Sequence, residues 1–177
     1  MGEFGRRLDD LTIRALSPDG RIRAVLRGRG QAVVSFADPE DFYDYNDADR
    51  VCDQVSELLD RVYDGLKRGR AELVAKHTRL EPNTGPHWDV RVRRMREELD
   101  GLTVDGEAQG DAVRVRTVGL RSWRVRIRPG MYENMTAEQF CRAVNGCVQD
   151  ACGRYLSEMR SVKTKTLGDL APDAARR

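Results

Sequence analysis

The strongest constraint on the fold is a stretch, residues 111–128, in which apolar and arginine side chains alternate. Arginines alternate with apolar or threonine side chains on either side of Gly119. The apolar and threonine positions are Val113, Val115, Thr117, Trp123, Val125 and Ile127. Successive side chains of a β-strand point to opposite faces, so this alternation predicts strands with one apolar face and one arginine face. Two such strands joined through a glycine predict an antiparallel hairpin.

The same pattern occurs once earlier, in residues 20–36. A constant offset aligns Gly28 with Gly119 and Phe36 with Ile127, and the apolar positions between them coincide. The sequence therefore predicts an internal repeat, with two similar units in one chain.

The first unit, residues 1–80, is predicted to be three strands followed by one long helix. Turn residues separate the three strand segments: Leu11–Leu16, Arg21–Arg27 and Gln31–Phe36. An acidic, aromatic loop follows. The helix begins near Asn46 or Asp47, either of which can cap free amide groups, and runs to about Lys76. Its apolar residues share one face at helical spacing: Val51, Val55, Leu58, Val62, Leu66 and Leu73.

Residues 81–86 are a linker rich in proline and glycine, and residues 87–160 form the second unit. Its leading helix has an apolar seam: Trp88, Val92, Met95, Leu99 and Leu102. Strands at 103–108 and in the second hairpin come next. The last helix begins at a capping box of Thr136 and Gln139, and residues 161–177 are predicted to fray. Trp88 and Trp123 are predicted to lie in the core.

One unit alone would bury little apolar surface. We therefore predict an α+β fold of two tandem α-β-β-β-α units, packed as a pseudo-twofold dimer within one chain. The first unit lacks the long leading helix.

The run SPDGRIRAVLRGRGQAVVSF, residues 17–36, resembles the YbaB/EbfC nucleoid-associated DNA-binding family, as do the acidic loop and long amphipathic helix after it. The second half matches the α-β-β-β-α layout of that family from Trp88 to Met159, and the first half matches from Leu11 onward. The resemblance implies tweezer-shaped pairing of two units, sequence-tolerant DNA binding, no catalysis and a cytoplasmic location in the nucleoid. Some distant relatives of that family look like accessory proteins of secretion systems rather than DNA-binding proteins.

Arginines on the polar sheet faces and on the leading helix are the candidate DNA-binding residues. They are Arg21, Arg23, Arg27, Arg91, Arg94, Arg114, Arg116, Arg124, Arg126 and Arg128. Arginines spaced along a strand can meet successive phosphates, and counterion release then supplies affinity for duplex DNA without sequence preference. No carboxylate separates the arginines along the second hairpin.

Three other interpretations of these arginines remain open. The faces are solvated, they form salt bridges with the other half, or they bind a protein. The acidic stretch Asp38–Asp64 is an internal competitor for the arginines. Its helical part, Asp47–Asp64, is a candidate surface for a basic protein partner, which would make the chain an adaptor or a secretion-accessory subunit. Self-association of two tandem chains is a further possibility.

The composition argues against several other classes. The formal net charge is only +2, the first residues are too charged for a signal peptide, and no apolar run approaches the roughly 20 residues that cross a bilayer. Of the four cysteines, Cys141 and Cys152 would lie about 16 Å apart along a helix, whereas a disulfide needs Cα atoms within about 7 Å. We expect reduced thiols, which are typical of the cytosol.

An enzyme is not expected. The only histidines, His77 and His87, form no triad pattern with a serine or cysteine. The carboxylates of residues 44–53 lack the glycine and the bidentate glutamate of a calcium-binding loop. We therefore expect no cofactor and no metal.

Overall fold

The computed structural model describes residues 3–28, 30–78, 89–108 and 112–168. Within these residues the fold is mixed α+β, with two three-stranded antiparallel sheets. The first half contains α1 (Glu3–Asp10), β1 (Thr12–Leu16), β2 (Ile22–Arg27), β3 (Val33–Phe36), a 3₁₀-helix (Pro39–Tyr45) and α2 (Ala48–Thr78). The second half contains α3 (Val90–Gly101), β4 (Thr103–Glu107), β5 (Val113–Val118), β6 (Ser122–Ile127), a 3₁₀-helix (Tyr132–Asn134) and α4 (Ala137–Gly168).

The two sheets share one strand order and one register. The first sheet has the order β1-β2-β3 and the second has the order β4-β5-β6. Ala24 pairs with Val34 in the first sheet, and Val115 pairs with Val125 in the second, at the offset that aligns the two sequences. The strands of both halves are therefore equivalent, except that β6 pairs over two more residues than β3 does.

The turn after the middle strand also repeats. Gly28 and Gly119 have φ angles of 57° and 59°, which favour glycine. A Cβ atom at Gly28 would lie 2.6 Å from the carbonyl oxygen of Asp9, and one at Gly119 would lie 2.5 Å from that of Asp100. The leading helix of each half thus ends against this turn, and only glycine leaves room for it.

Several elements differ from the sequence predictions. The predicted acidic loop is a 3₁₀-helix, because the carboxylate of Asp38 accepts from the amide of Glu40 and Pro39 fits the first position. The first half lacks a long leading helix, as predicted, and has only the eight-residue α1 in that place. Residues 161–168 were predicted to fray, but the last helix continues through them to Gly168, and Val162 is buried. The linker and Trp88 lie outside the described residues.

The helix starts agree with the predicted caps. The amide of Asp49 donates to the carboxylate of Asp47 (2.9 Å). At α4, the amide of Thr136 donates to Gln139 Oε1 (2.9 Å), while the amide of Gln139 donates to Thr136 Oγ1 (3.2 Å), which confirms the capping box.

Each long helix packs on the sheet of its own half and on the third strand of the other half. Helix α2 contacts β1, β2 and β6, and α4 contacts β4, β5 and β3. Trp123 of β6 is fully buried and stacks on Tyr63 of α2, with ring centroids 4.6 Å apart. The prediction that Trp123 is a core residue is confirmed, and the core is continuous across the two halves.

Side chains of these helices bond to the free edges of β3 and β6. From α2, Ser56 Oγ accepts from the amide of Val125 (2.9 Å) and the carboxylate of Asp60 accepts from the amide of Trp123 (2.7 Å). From α4, the side-chain amide of Asn145 accepts from the amide of Val34 (2.7 Å) and donates to its carbonyl oxygen (3.0 Å). An exposed strand edge would invite pairing with another chain, and the helix of the opposite half prevents this at both edges.

Asp60→Asn tests what it costs to place a charge at the β6 edge. Burial raises the pKa of Asp60, although the amide of Trp123 and the charge of Arg124 lower it. A carboxyl group whose pKa rises on folding stabilises the fold while it is protonated, and this contribution is lost as the pH rises through the folded pKa. Asparagine keeps the acceptor and removes the charge. We expect Asp60→Asn to be at least as stable as wild type at neutral pH, and the difference to shrink as the pH falls.

Thermal unfolding followed by circular dichroism over a pH series measures this. Asp60→Ala is the control, because it leaves the amide of Trp123 without an acceptor and should cost about 1 kcal/mol. An Asp60→Asn variant that is less stable than wild type at neutral pH would contradict the prediction.

Candidate nucleic-acid interface

Four arginines form a two-by-two block on the outer face of the second sheet. Arg114 of β5 lies opposite Arg126 of β6, and Arg116 lies opposite Arg124. Residues directly opposite on antiparallel strands have Cα atoms about 4.5–5.5 Å apart, and alternate residues on one strand are separated by about 7 Å. We call these four residues the arginine block.

The block faces solvent because the alternate residues of the same strands fill the core. Val113, Val115, Trp123 and Val125 are buried on the inner face, against α2 and α4. All four arginines of the block are exposed. Within the described residues, neither half of the chain therefore covers this face.

Carboxylates of β4 lie opposite the block on its other side. Asp105 pairs in register with Arg116, and Glu107 pairs with Arg114. Arg116 donates two hydrogen bonds to the carboxylate of Asp105, from Nε (2.6 Å) and Nη2 (2.9 Å). These hydrogen bonds from Arg116 hold the pKa of Asp105 below its ordinary value, although the small burial of the carboxyl raises it. No carboxylate separates the arginines along β5 and β6, as the sequence shows, but the neighbouring strand β4 places two carboxylates opposite β5.

Helix α2 brings further carboxylates to the β6 side of the block. Asp60 interacts electrostatically with Arg124. Asp49 lines a cavity of about 410 Å³ together with Arg114, Arg126 and Arg128. The acidic helix thus approaches the arginines, as predicted for an internal competitor. Arg126 itself makes no hydrogen bond or ion pair with any residue that the structure describes.

Arg21 stands one residue before β2, so this strand starts one residue later than predicted, although the carbonyl oxygen of Arg21 still accepts from the amide of Ala37. Its guanidinium lies 3.1 Å from the carboxylate of Asp44 and 3.9 Å from that of Asp41, and 5.8 Å from the ring centroid of Tyr45. Arg21 precedes β2 and holds the 3₁₀-helix that follows β3. The sequence suggested a strand position because the alternating pattern continues through residue 21.

The other candidate arginines are distributed over two more surfaces. Arg23 and Arg27 lie on the outer face of the first sheet, where Arg23 Nε donates to Ser35 Oγ (3.0 Å). Arg91 and Arg94 are exposed on α3, which packs against α4, and Arg91 Nε lies 3.7 Å from the carboxylate of Asp89. Arg128, directly after β6, shares a cavity with Arg114 and Arg126 of the arginine block.

The cysteines are buried or half-buried and form no disulfide. All four are free thiols. Burial raises the pKa of Cys52 to about 12 and that of Cys147 to about 11. Because the thiolate is the nucleophile, burial and the raised pKa both disfavour reaction of these thiols at neutral pH.

Within the described residues, no group of three or more histidine, cysteine, aspartate or glutamate side chains is placed to hold a metal ion. His87 lies outside the described residues, and only the backbone is described for His77.

Comparisons with protein-family models, with curated proteins and with solved structures return no significant match. Fold and interface together define a mixed α+β protein with two three-stranded antiparallel sheets, the second of which carries the exposed arginine block. The resemblance to the YbaB/EbfC family stays a prediction. Of the helices that the structure describes, none combines the length and the apolar composition needed to span a bilayer.

Proposed function

We propose that this protein binds duplex DNA without sequence preference through the arginine block, as a non-enzymatic nucleoid-associated protein of the cytoplasm. The observation that carries the proposal is the placement of four exposed arginines directly opposite one another on two strands. Like charges in directly opposite positions destabilise a sheet. The carboxylates of Asp105 and Asp60 offset part of this repulsion within the fold, and the phosphates of a polyanion would offset more of it.

The chemistry of the block fits a phosphate backbone. Duplex DNA carries one negative charge per about 1.7 Å of helix axis, counting both strands. A guanidinium group can donate two parallel hydrogen bonds to one phosphate. Arg124 and Arg126 make the principal contacts. Arg116 contributes when phosphate replaces Asp105 as its acceptor, and contacts of this kind position the protein without reading sequence.

The reciprocal packing of the helices supports a paired architecture. Each long helix lies on the third strand of the opposite half, and the two sheets have equivalent registers. We infer a YbaB-like pseudo-twofold pair within one chain, with one arginine block on its second half.

Fluorescence anisotropy with a labelled, short, random-sequence duplex tests DNA binding. Titrations between about 50 and 200 mM salt should show log affinity falling linearly with log salt, with a slope of about −3 for three to four phosphate contacts. Absence of binding at the lowest salt would overturn the proposal and favour the protein-binding adaptor.

Asp105→Asn sharpens the same experiment, because it should increase affinity rather than reduce it. The substitution removes the carboxylate that holds Arg116, so the affinity should rise several-fold and the salt slope should steepen by about 0.9. Glu138→Gln is the matched control, since it removes a carboxylate from another exposed ion pair with an arginine, Arg142 on α4. Equal tightening in both variants would mean that net charge, not Arg116, determines the affinity.

A further inference from the structure

The outer faces of the two sheets occupy equivalent positions but differ in chemistry. Three exposed or half-buried apolar residues of the first sheet take the places of charged residues in the second: Leu16, Val25 and Val33 stand where Glu107, Arg116 and Arg124 stand. Arg14 likewise takes the place of Asp105. The first face therefore has apolar residues and arginines, while the second face has arginines and carboxylates.

The apolar residues of the first face are open to solvent. Leu16 is 55% exposed and Val33 is 57% exposed, although both are aliphatic. With Val25 between them, they span all three strands, because Val25 pairs with Val33 and Leu16 pairs with Arg23. All three line one groove, and exposed apolar residues that are grouped in this way fit a protein-binding site.

Arginines surround this apolar surface. A groove of about 900 Å³ runs across the face, and among the described residues the charged ones that line it are all arginines: Arg14, Arg23 and Arg61. Arg14 makes no hydrogen bond or ion pair with a residue in the described ranges. Arg61 is held at the rim by Glu57 (3.0 Å) and by the carbonyl oxygen of Leu16 (3.2 Å).

We propose that the outer face of the first sheet docks an acidic, amphipathic segment of a protein partner. Apolar side chains of the segment cover Leu16, Val25 and Val33. Its carboxylates accept from Arg14 and Arg23, because carboxylate is the planar acceptor that the guanidinium fork matches. Charge complementarity then selects acidic partners and orients them in the groove.

Two other occupants fit this face less well. A second copy docked face to face would place Arg14 and Arg23 near their own copies, and like charges across an interface are unfavourable. Duplex DNA would meet Leu16 and Val33, which offer nothing to a phosphate. The inference does not depend on DNA binding by the arginine block.

Selection of phage-displayed random peptides on the immobilised full chain tests the proposal. The enriched peptides should combine aspartate or glutamate with leucine, isoleucine or phenylalanine. A fluorescein-labelled synthetic copy of an enriched peptide is then titrated by anisotropy. Leu16→Thr with Val33→Thr should weaken its binding at least about tenfold, because exposed apolar contacts are lost while strand propensity is kept.

The matched control is Arg124→Thr with Arg126→Thr on the second sheet, where Arg124 is the equivalent of Val33. This variant should bind the peptide as wild type does, whereas Leu16→Thr with Val33→Thr should bind DNA as wild type does. Amide shifts confined to β1–β3 on peptide addition would place the peptide on this face.

Three results would overturn the proposal. The first is a selection that yields basic peptides or no consensus. The second is an unchanged peptide affinity in Leu16→Thr with Val33→Thr. The third is a lower DNA affinity in that variant, which would assign the face to nucleic acid. Unfolding temperatures of both variants show whether a loss of binding is local.

Discussion

Arg124→Glu combined with Arg126→Glu is expected to abolish the binding of duplex DNA and to leave the fold intact. Each substitution replaces an attraction to phosphate by a repulsion. At about 1 kcal/mol per contact in water, two reversals change the binding free energy by about 4 kcal/mol, or roughly three orders of magnitude in affinity. Both side chains are exposed, so little packing is lost.

Anisotropy titration at low salt measures the loss, and thermal unfolding verifies the fold. The control is Lys163→Glu with Lys165→Glu, which changes the net charge by the same amount at exposed positions near the end of α4. Wild-type affinity in the double arginine variant would remove the arginine block as the binding site. Equal losses in both variants would show that overall charge, rather than this face, attracts DNA.

Gly106→Ala is expected to have the largest effect on stability. Gly106 lies in β4 where α4 comes closest, and a Cβ atom there would overlap the carbonyl oxygen of Cys147 and lie 2.8 Å from Ala151 Cβ. The obstacle is helix backbone, which cannot turn aside as a flexible side chain can. Separating β4 from α4 should cost about 3 kcal/mol, which lowers the unfolding temperature of a chain of this size by roughly 10 °C.

Gly153→Ala is the matched control on the same helix. Nothing lies within 4 Å of a Cβ atom at Gly153, and alanine favours a helix by about 1 kcal/mol over glycine. Calorimetry should therefore show a lower unfolding temperature for Gly106→Ala and a higher one for Gly153→Ala than for wild type. A wild-type unfolding temperature for Gly106→Ala would mean that β4 and α4 can separate without loss of packing.

The local features of the fold were predictable because neighbouring residues determine them. The alternation around Trp123 places that side chain in the core, where it is fully buried. The capping box of Thr136 and Gln139 forms both of its hydrogen bonds. Strand faces and helix starts depend on spacings of two to four residues, and such spacings are visible in one sequence.

The candidate site was predictable only in part, because its electrostatics depend on pairing across strands. The sequence shows arginines at alternate positions but does not show which residue lies opposite each of them. Asp105 meets Arg116 through the register of β4 and β5, and Asp60 approaches Arg124 from a helix of the other half. The pairing of Arg21 with Asp44 likewise requires the 3₁₀-helix to fold back onto β2.

The reciprocal covering of the strand edges has a consequence for the order in which the chain is made. Asn145, whose side chain bonds to both backbone groups of Val34, stands 111 residues later in the sequence. At about 5–20 residues per second, the ribosome needs roughly 5–20 s to reach it. During that interval β1, β2 and β3 are already complete, but the edge of β3 has no α4 to cover it. The first half therefore emerges with an open strand edge, and synthesis of the second half closes it.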